Sequence, residues 1–141
     1  MGQENLQTGM ASEFYVLSML FRKGANAQLT LGNNKFVDIV VQKGSKTLTI
    51  DVKGLKGKTN FPIDNLSNYD PNHYVIFVCY NNKIEDHNTI PDCYILKAKH
   101  LKSNSKKLVY QNPKRTRRVV TLTALKENAR LLSAWTDFID K

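Results

Sequence analysis

Asp38 and Asp51 stand where an apolar strand has least use for a charge. Asp38 lies among Phe36, Val37, Ile39, Val40 and Val41, and Asp51 among Leu48, Ile50 and Val52. An ionised carboxylate in such surroundings costs desolvation energy unless a partner compensates it. Lys43-Gly44-Ser45-Lys46 separates the two runs and reads as a hairpin turn. With Gly44-Ser45 as a two-residue loop, Lys43 faces Lys46, Asp38 faces Asp51 and Phe36 faces Lys53. A four-residue loop keeps that register, and a three-residue loop breaks it. Side chains then alternate between two faces. Val37, Ile39, Val41, Leu48, Ile50 and Val52 form the core face, and Asp38, Asp51 and Lys53 share the other. Like charges directly opposite one another destabilise a sheet. A hard divalent cation held between the two carboxylates removes the conflict, because such cations take oxygen ligands.

A third carboxylate belongs to the element ahead of the hairpin. Met10, Phe14, Leu17, Leu20 and Phe21 recur at helical spacing and predict a helix from Gly9 to Lys23, with Thr8 as N-cap and Gly24 as its stop. Glu13 precedes Val16, Leu17 and Leu20 by three, four and seven residues, so it falls on the apolar stripe. An inward Glu beside the sheet could complete an oxygen cage, and a rim Glu with a wet carboxylate fits the spacing equally well.

Further elements surround this unit. Ala27 to Leu31 reads as a short strand, His73 to Tyr80 as a buried strand and Asp92 to Ala98 as another. Residues 54 to 72 read as loop, with at most a short helix near Asp64 to Asn68. Leu125, Ala129, Leu132, Trp135 and Ile139 mark a C-terminal helix over 123–140, with Trp135 as a core anchor. Nothing divides the chain, so residues 1–141 read as a single α/β domain. His73, His87 and His100 show no metal-binding spacing, and His73 reads as a strand-end residue. Neither a phosphate-binding loop nor a dinucleotide fingerprint is present.

Charge supplies the partner. The 141 residues carry 21 Lys plus Arg against 12 Asp plus Glu, a net +9. Nine of the cations lie between Lys97 and Arg118, a segment with no acid. A second cluster is Lys53, Lys56 and Lys58. A basic stretch of this kind favours a polyphosphate. Lys56, Lys58, Lys114, Arg115, Arg117 and Arg118 are the candidate nucleic-acid contacts. No basic amphipathic helix accompanies the run, which disfavours a membrane surface. The longest apolar run, Tyr74 to Tyr80, has seven residues, against roughly twenty for a spanning helix. The N-terminus lacks a secretory pattern, and two cysteines cannot build a disulfide framework. These features fit a cytoplasmic chain.

The order of elements resembles the PD-(D/E)XK nuclease superfamily, the restriction-endonuclease-like fold. The matching residues are Gly9-Met10-Ala11-Ser12-Glu13 on the helix, Asp38 in the first strand of the hairpin and Asp51-Val52-Lys53 in the second. The resemblance spans residues 8 to 80, and the chain's size is similar to stand-alone cores related to Holliday-junction resolvases. It implies an αβββαβ core with a mixed central sheet of about five strands flanked by helices. It also implies a Mg2+-dependent DNA endonuclease in which Mn2+ can substitute. Asp38, Asp51, the Val52 carbonyl and Glu13 would hold the metal, and Lys53 would orient or deprotonate the attacking water. Asp stands at position 51 where the superfamily more often has Glu, and residues after Lys53 lack the amphipathic helix many members place there. Cutting both strands of a duplex would call for a homodimer. The alternative is a nuclease-like domain that binds nucleic acid without cutting it. A basic RNA-binding protein accounts for the charge but leaves Asp38 and Asp51 unexplained.

Overall fold

Gly44 adopts a φ of +59°, the left-handed conformation that a tight two-residue hairpin demands and that glycine tolerates. The turn sets the register: Lys43 faces Lys46, Val41 faces Leu48 and Ile39 faces Ile50. A computed structural model of the chain describes residues 2–30, 37–103, 107–128 and 135–139, with side chains from Asn5 onward. Within it the hairpin is built from β2 (Ile39–Lys43) and β3 (Lys46–Leu55). It follows α1 (Gly2–Arg22) and β1 (Asn26–Leu29). Then come β4 (Asn60–Pro62), β5 (His73–Cys79), β6 (Asp92–Lys97), α2 (Lys99–Ser103), β7 (Val109–Gln111), β8 (Arg118–Thr121) and α3 (Leu122–Glu127). A 3-10 turn at Trp135–Phe138 ends the described chain.

The main sheet has the order β1-β2-β3-β5-β6. Only β3 and β5 run parallel. This is the mixed five-stranded α/β sheet the sequence implies. A parallel pair needs a long crossover, usually helical. Here the crossover holds no helix: β4 leaves the main sheet and forms a second one, β4-β8-β7, entirely antiparallel. The reason is local. Phe61 and Ile63 are buried at a spacing of two, which suits a strand. Pro62 between them lacks an N–H and sits on an edge strand, where none is needed.

Two apolar layers result. Ile39, Val41, Leu48, Ile50 and Val52 pack beneath α1 with Val16, Leu20, Trp135 and Phe138. On the opposite face Val75, Phe77, Tyr94 and Leu96 pack against Phe61, Val120 and Leu125 of the second layer. Cys79 and Cys93 lie in different layers, so neither can reach the other across the sheet.

Two helical expectations are corrected. The buried face of α1 is Thr8, Ser12, Glu13, Val16 and Leu20, whereas Phe14 and Phe21 are 52% and 55% exposed. The cause is Gly54 on β3: a Cβ there would lie 2.2 Å from Ser12 Oγ. The helix turns its small residues onto the sheet and so approaches it closely, which rotates the aromatic stripe outward. It also begins at Gly2, so Thr8 is an interior residue and no cap. The C-terminal stretch is not one helix over 123–140. α3 starts from a Thr121 cap accepting from Ala124 N at 3.2 Å and ends at Asn128. The 3-10 turn then seats Trp135 and Phe138 in the core. Ala129 and Leu132 of the expected stripe, like Phe36, lie outside the described residues. No helix among the described residues is long and apolar enough to cross a membrane.

Candidate functional site

The β2–β3 ladder ends at Ile39 facing Ile50, and Asp38 closes it. Its N–H donates to the Ile50 carbonyl at 3.0 Å, and its carboxylate Oδ2 accepts from the Val52 N–H at 2.7 Å. A side chain therefore takes the place of the next backbone partner, and the strands part at that point. A residue's N–H and C=O point to the same edge of a strand, so Val52 also directs its carbonyl into the fork. Asp38 thus stands just beyond the last paired position, with its backbone on Ile50 and its carboxylate on Val52.

Asp51 and Lys53 lie on the face opposite the α1 layer, as the alternation requires. Asp51 is 19% exposed, and its Oδ2 is 3.2 Å from Nε2 of the fully buried His73. Lys53 does not turn toward the carboxylates: its Nζ donates to Asn65 Oδ1 at 2.9 Å. Glu13 is inward-facing at 9% exposure, which answers the question its spacing left open. It is not gathered with the two aspartates, however. Among the described residues no three His, Cys, Asp or Glu side chains form a group placed to hold a metal ion. Carboxylate and carbonyl oxygens, the donors that Asp38, Asp51 and Val52 offer, are the kind a hard divalent cation takes.

Beside Lys53 a cleft of about 730 Å³ opens between α1, the outer end of β3 and β4. Among the described side chains Lys53, Lys56, Asn5, Thr8, Asn60 and Asn65 supply its polar lining, and none of those lining it is acidic. Such a wall offers positive charge and amide donors to a phosphate backbone.

The basic candidates separate into two kinds. Lys58, Lys114 and Arg115 are exposed. Lys56 is also exposed, at the cleft. Arg118, in contrast, is built into the protein. Its guanidinium donates to the carbonyls of Ile63 and Leu66 at 3.3 and 3.2 Å and to Tyr69 Oη at 2.9 Å. These bonds tie the 63–69 loop to β8 and engage the guanidinium within the fold. Arg117 pairs with Asp64 at 3.2 Å, and the Arg118 N–H donates to the same carboxylate at 2.6 Å. That backbone N–H, with Arg117 beside it, holds the Asp64 carboxyl below its ordinary range. Asp64 thereby anchors the β7–β8 turn next to the loop that supplies Asn65 to Lys53. In that turn Asn112 Oδ1 accepts from the Thr116 and Arg117 N–H groups, and Arg115 takes a φ of +56°.

Sequence reasoning missed His73, Thr49, Asn65 and Asp64. A polar residue opening an otherwise continuous apolar strand was the available signal for His73, but its neighbour Asp51 lies 22 positions earlier.

No protein-family profile and no curated protein matches the chain. Among solved structures the chain is similar to a bacterial homing endonuclease, I-Ssp6803I. The TM-score is 0.45 at 17% identity, covering 70% of this chain and 67% of that one.

Proposed function

We propose that the chain is a Mg2+-dependent DNA endonuclease of the PD-(D/E)XK kind. The observation that carries the reading is the fork at Asp38, which opens the β2–β3 hairpin just where Asp51, Val52 and Lys53 stand. Asp38, Asp51 and the Val52 carbonyl hold the cation, with Mn2+ able to replace Mg2+. The bound cation acidifies a water molecule and offsets negative charge developing on the phosphate. Lys53 supplies a cation in the cleft that it lines together with Lys56. On binding it exchanges Asn65 for a phosphate oxygen and steadies the attacking water. Lys56, Lys58, Lys114 and Arg115 hold the DNA backbone, and Arg117 contributes from beside Asp64. Glu13 enters through a water molecule or not at all, since its carboxylate belongs to the α1 layer.

The experiment is a cleavage panel of duplex, four-way junction and single-stranded DNA with Mg2+ and with EDTA. We expect cleavage that EDTA stops and that Asp51→Asn abolishes while DNA binding is kept. Undiminished cleavage by both Asp51→Asn and Lys53→Ala overturns the reading. One observation favours the second reading, a nuclease-like domain that binds DNA without cutting it: the lack of a three-ligand group among the described residues. On that reading DNA binding survives Asp51→Asn and no substrate in the panel is cut.

A further inference from the structure

The parallel register of β3 and β5 sets His73 beside Thr49, and Asp51 follows one step along the same face. The backbone of His73 is fixed from both sides: its N–H donates to Asp70 O and its carbonyl accepts from Ala98 N, each at 3.0 Å. The ring is fully buried. Its Nδ1 lies 2.7 Å from Thr49 Oγ1 and its Nε2 lies 3.2 Å from Asp51 Oδ2. The second contact is out of line for a hydrogen bond. Among the described residues Nε2 is the single buried side-chain nitrogen or oxygen without an in-line partner.

We propose that His73 is a positioning residue for Asp51. Its Nε2–H takes up Oδ2 and leaves Oδ1 as the oxygen presented toward the fork. The tautomer follows from the neighbours. An ionised carboxylate can only accept, so the nitrogen that faces it carries the hydrogen. Nδ1 is then an acceptor, and the Thr49 hydroxyl, free to rotate about its C–O bond, donates to it. Thr49, His73 and Asp51 form a line of fixed direction running from the sheet interior to its margin. Bringing Nε2–H into line takes a small turn of the carboxylate. The partly exposed Asp51 can make that turn, and the enclosed imidazole cannot. The ring is therefore the fixed member and the carboxylate the oriented one.

The consequence for metal binding rests on the reading of Asp51 as a cation ligand; the His73–Asp51 tie does not. Buried partners that aim a ligand commonly govern affinity, and their loss costs about 10- to 100-fold in metal binding or activity. Long-range 1H–15N correlation spectra of the metal-free full chain test the tie directly. We expect the Nε2–H tautomer, with its resonance displaced in Asp51→Asn. A ring protonated on Nδ1 alone overturns the proposal. Calorimetric Mn2+ titration separates aiming from packing. The amide nitrogen of His73→Gln reaches the place of Nε2, whereas that of His73→Asn stops near Nδ1. We expect His73→Gln to bind Mn2+ within about threefold of the parent and His73→Asn to weaken it by about 10- to 100-fold. Equal weakening in the two variants, or none in either, overturns the proposal. A parent chain that binds no Mn2+ overturns the metal reading of Asp51, and the spectra then decide the His73–Asp51 tie alone.

Discussion

The two faces of the main sheet treat the same strand in opposite ways. Under α1, β3 contributes Leu48, Ile50 and Val52, all buried in a continuous apolar layer. On the other face the alternate residues of β3 are Thr49, Asp51 and Lys53, each only partly buried. The second layer explains the contrast. β4, β8 and α3 cover β5 and β6, where Val75, Phe77, Tyr94 and Leu96 meet them, and leave β3 at the margin. Asp51 therefore keeps some contact with water while touching a histidine that has none. A charge is affordable at such a boundary and nowhere deeper in the sheet. The candidate site lies where the second layer stops.

Four experiments can break or sharpen this contrast. The largest expected effect is on stability: Ile50→Ala should cost about 2–5 kcal/mol as a buried cavity, read by urea unfolding. Asp51→Asn, one residue along and on the other face, should cost about 1 kcal/mol or less. Equal losses would mean that the two faces are not distinct. Second, Gly54→Ala forces a methyl group against Ser12 and Thr8 and should cost about 1–3 kcal/mol. Combining it with Ser12→Gly should recover part of that loss, and purely additive losses would show that the contact is not the cause. Third, Arg118→Ala should lower stability by about 1–3 kcal/mol, because it strands loop carbonyls that Arg118 now satisfies. Arg115→Ala should leave stability within about 0.5 kcal/mol and reduce the salt dependence of DNA binding by about one phosphate contact. The reverse pattern would exchange the roles assigned to the two arginines.

The smallest effect concerns pH. The Arg118 N–H, and then Arg117, hold the Asp64 carboxyl below its ordinary value of 3.8. Its folded-state pKa is thus lower than its unfolded one. The stabilisation is complete above the ordinary carboxylate range and is lost as pH falls through the folded value. The Arg118 amide resonance should titrate with a midpoint below 3.8 and should lose that step in Asp64→Asn. A midpoint at or above 3.8 would detach the basic turn from Asp64.

Much of the hairpin was legible because its determinants are local. A Gly-Ser turn, a period of two and a change of side-chain type at Asp38 and Asp51 define register and face without help from distant residues. α1 was legible as a helix, yet its buried face was misread, since hydrophobicity pointed to Phe14 and Phe21 while close approach at Gly54 selected Thr8 and Ser12. β4, β7 and β8 went unread because each has three or four residues and gains its order by pairing with segments far away in sequence. For the same reason Arg118 resembled its neighbours in a basic run. Only the loop from Ile63 to Tyr69, folded beneath it, separates it from Arg115.

By itself, then, the sequence determined the hairpin register from Ile39 to Ile50, the α/β class and the basic segment, all consequences of short-range geometry and composition. Tertiary structure decided which face of α1 is buried and which arginines remain available. It also decided what stands beside Asp51. The physical reason is the same in each case: a contact between elements depends on how closely two backbones approach and on which parallel strand lies alongside. Neither quantity is carried by a residue's immediate neighbours. His73 is the clearest instance, a strand-opening residue in the sequence and the buried partner of Asp51 in the fold.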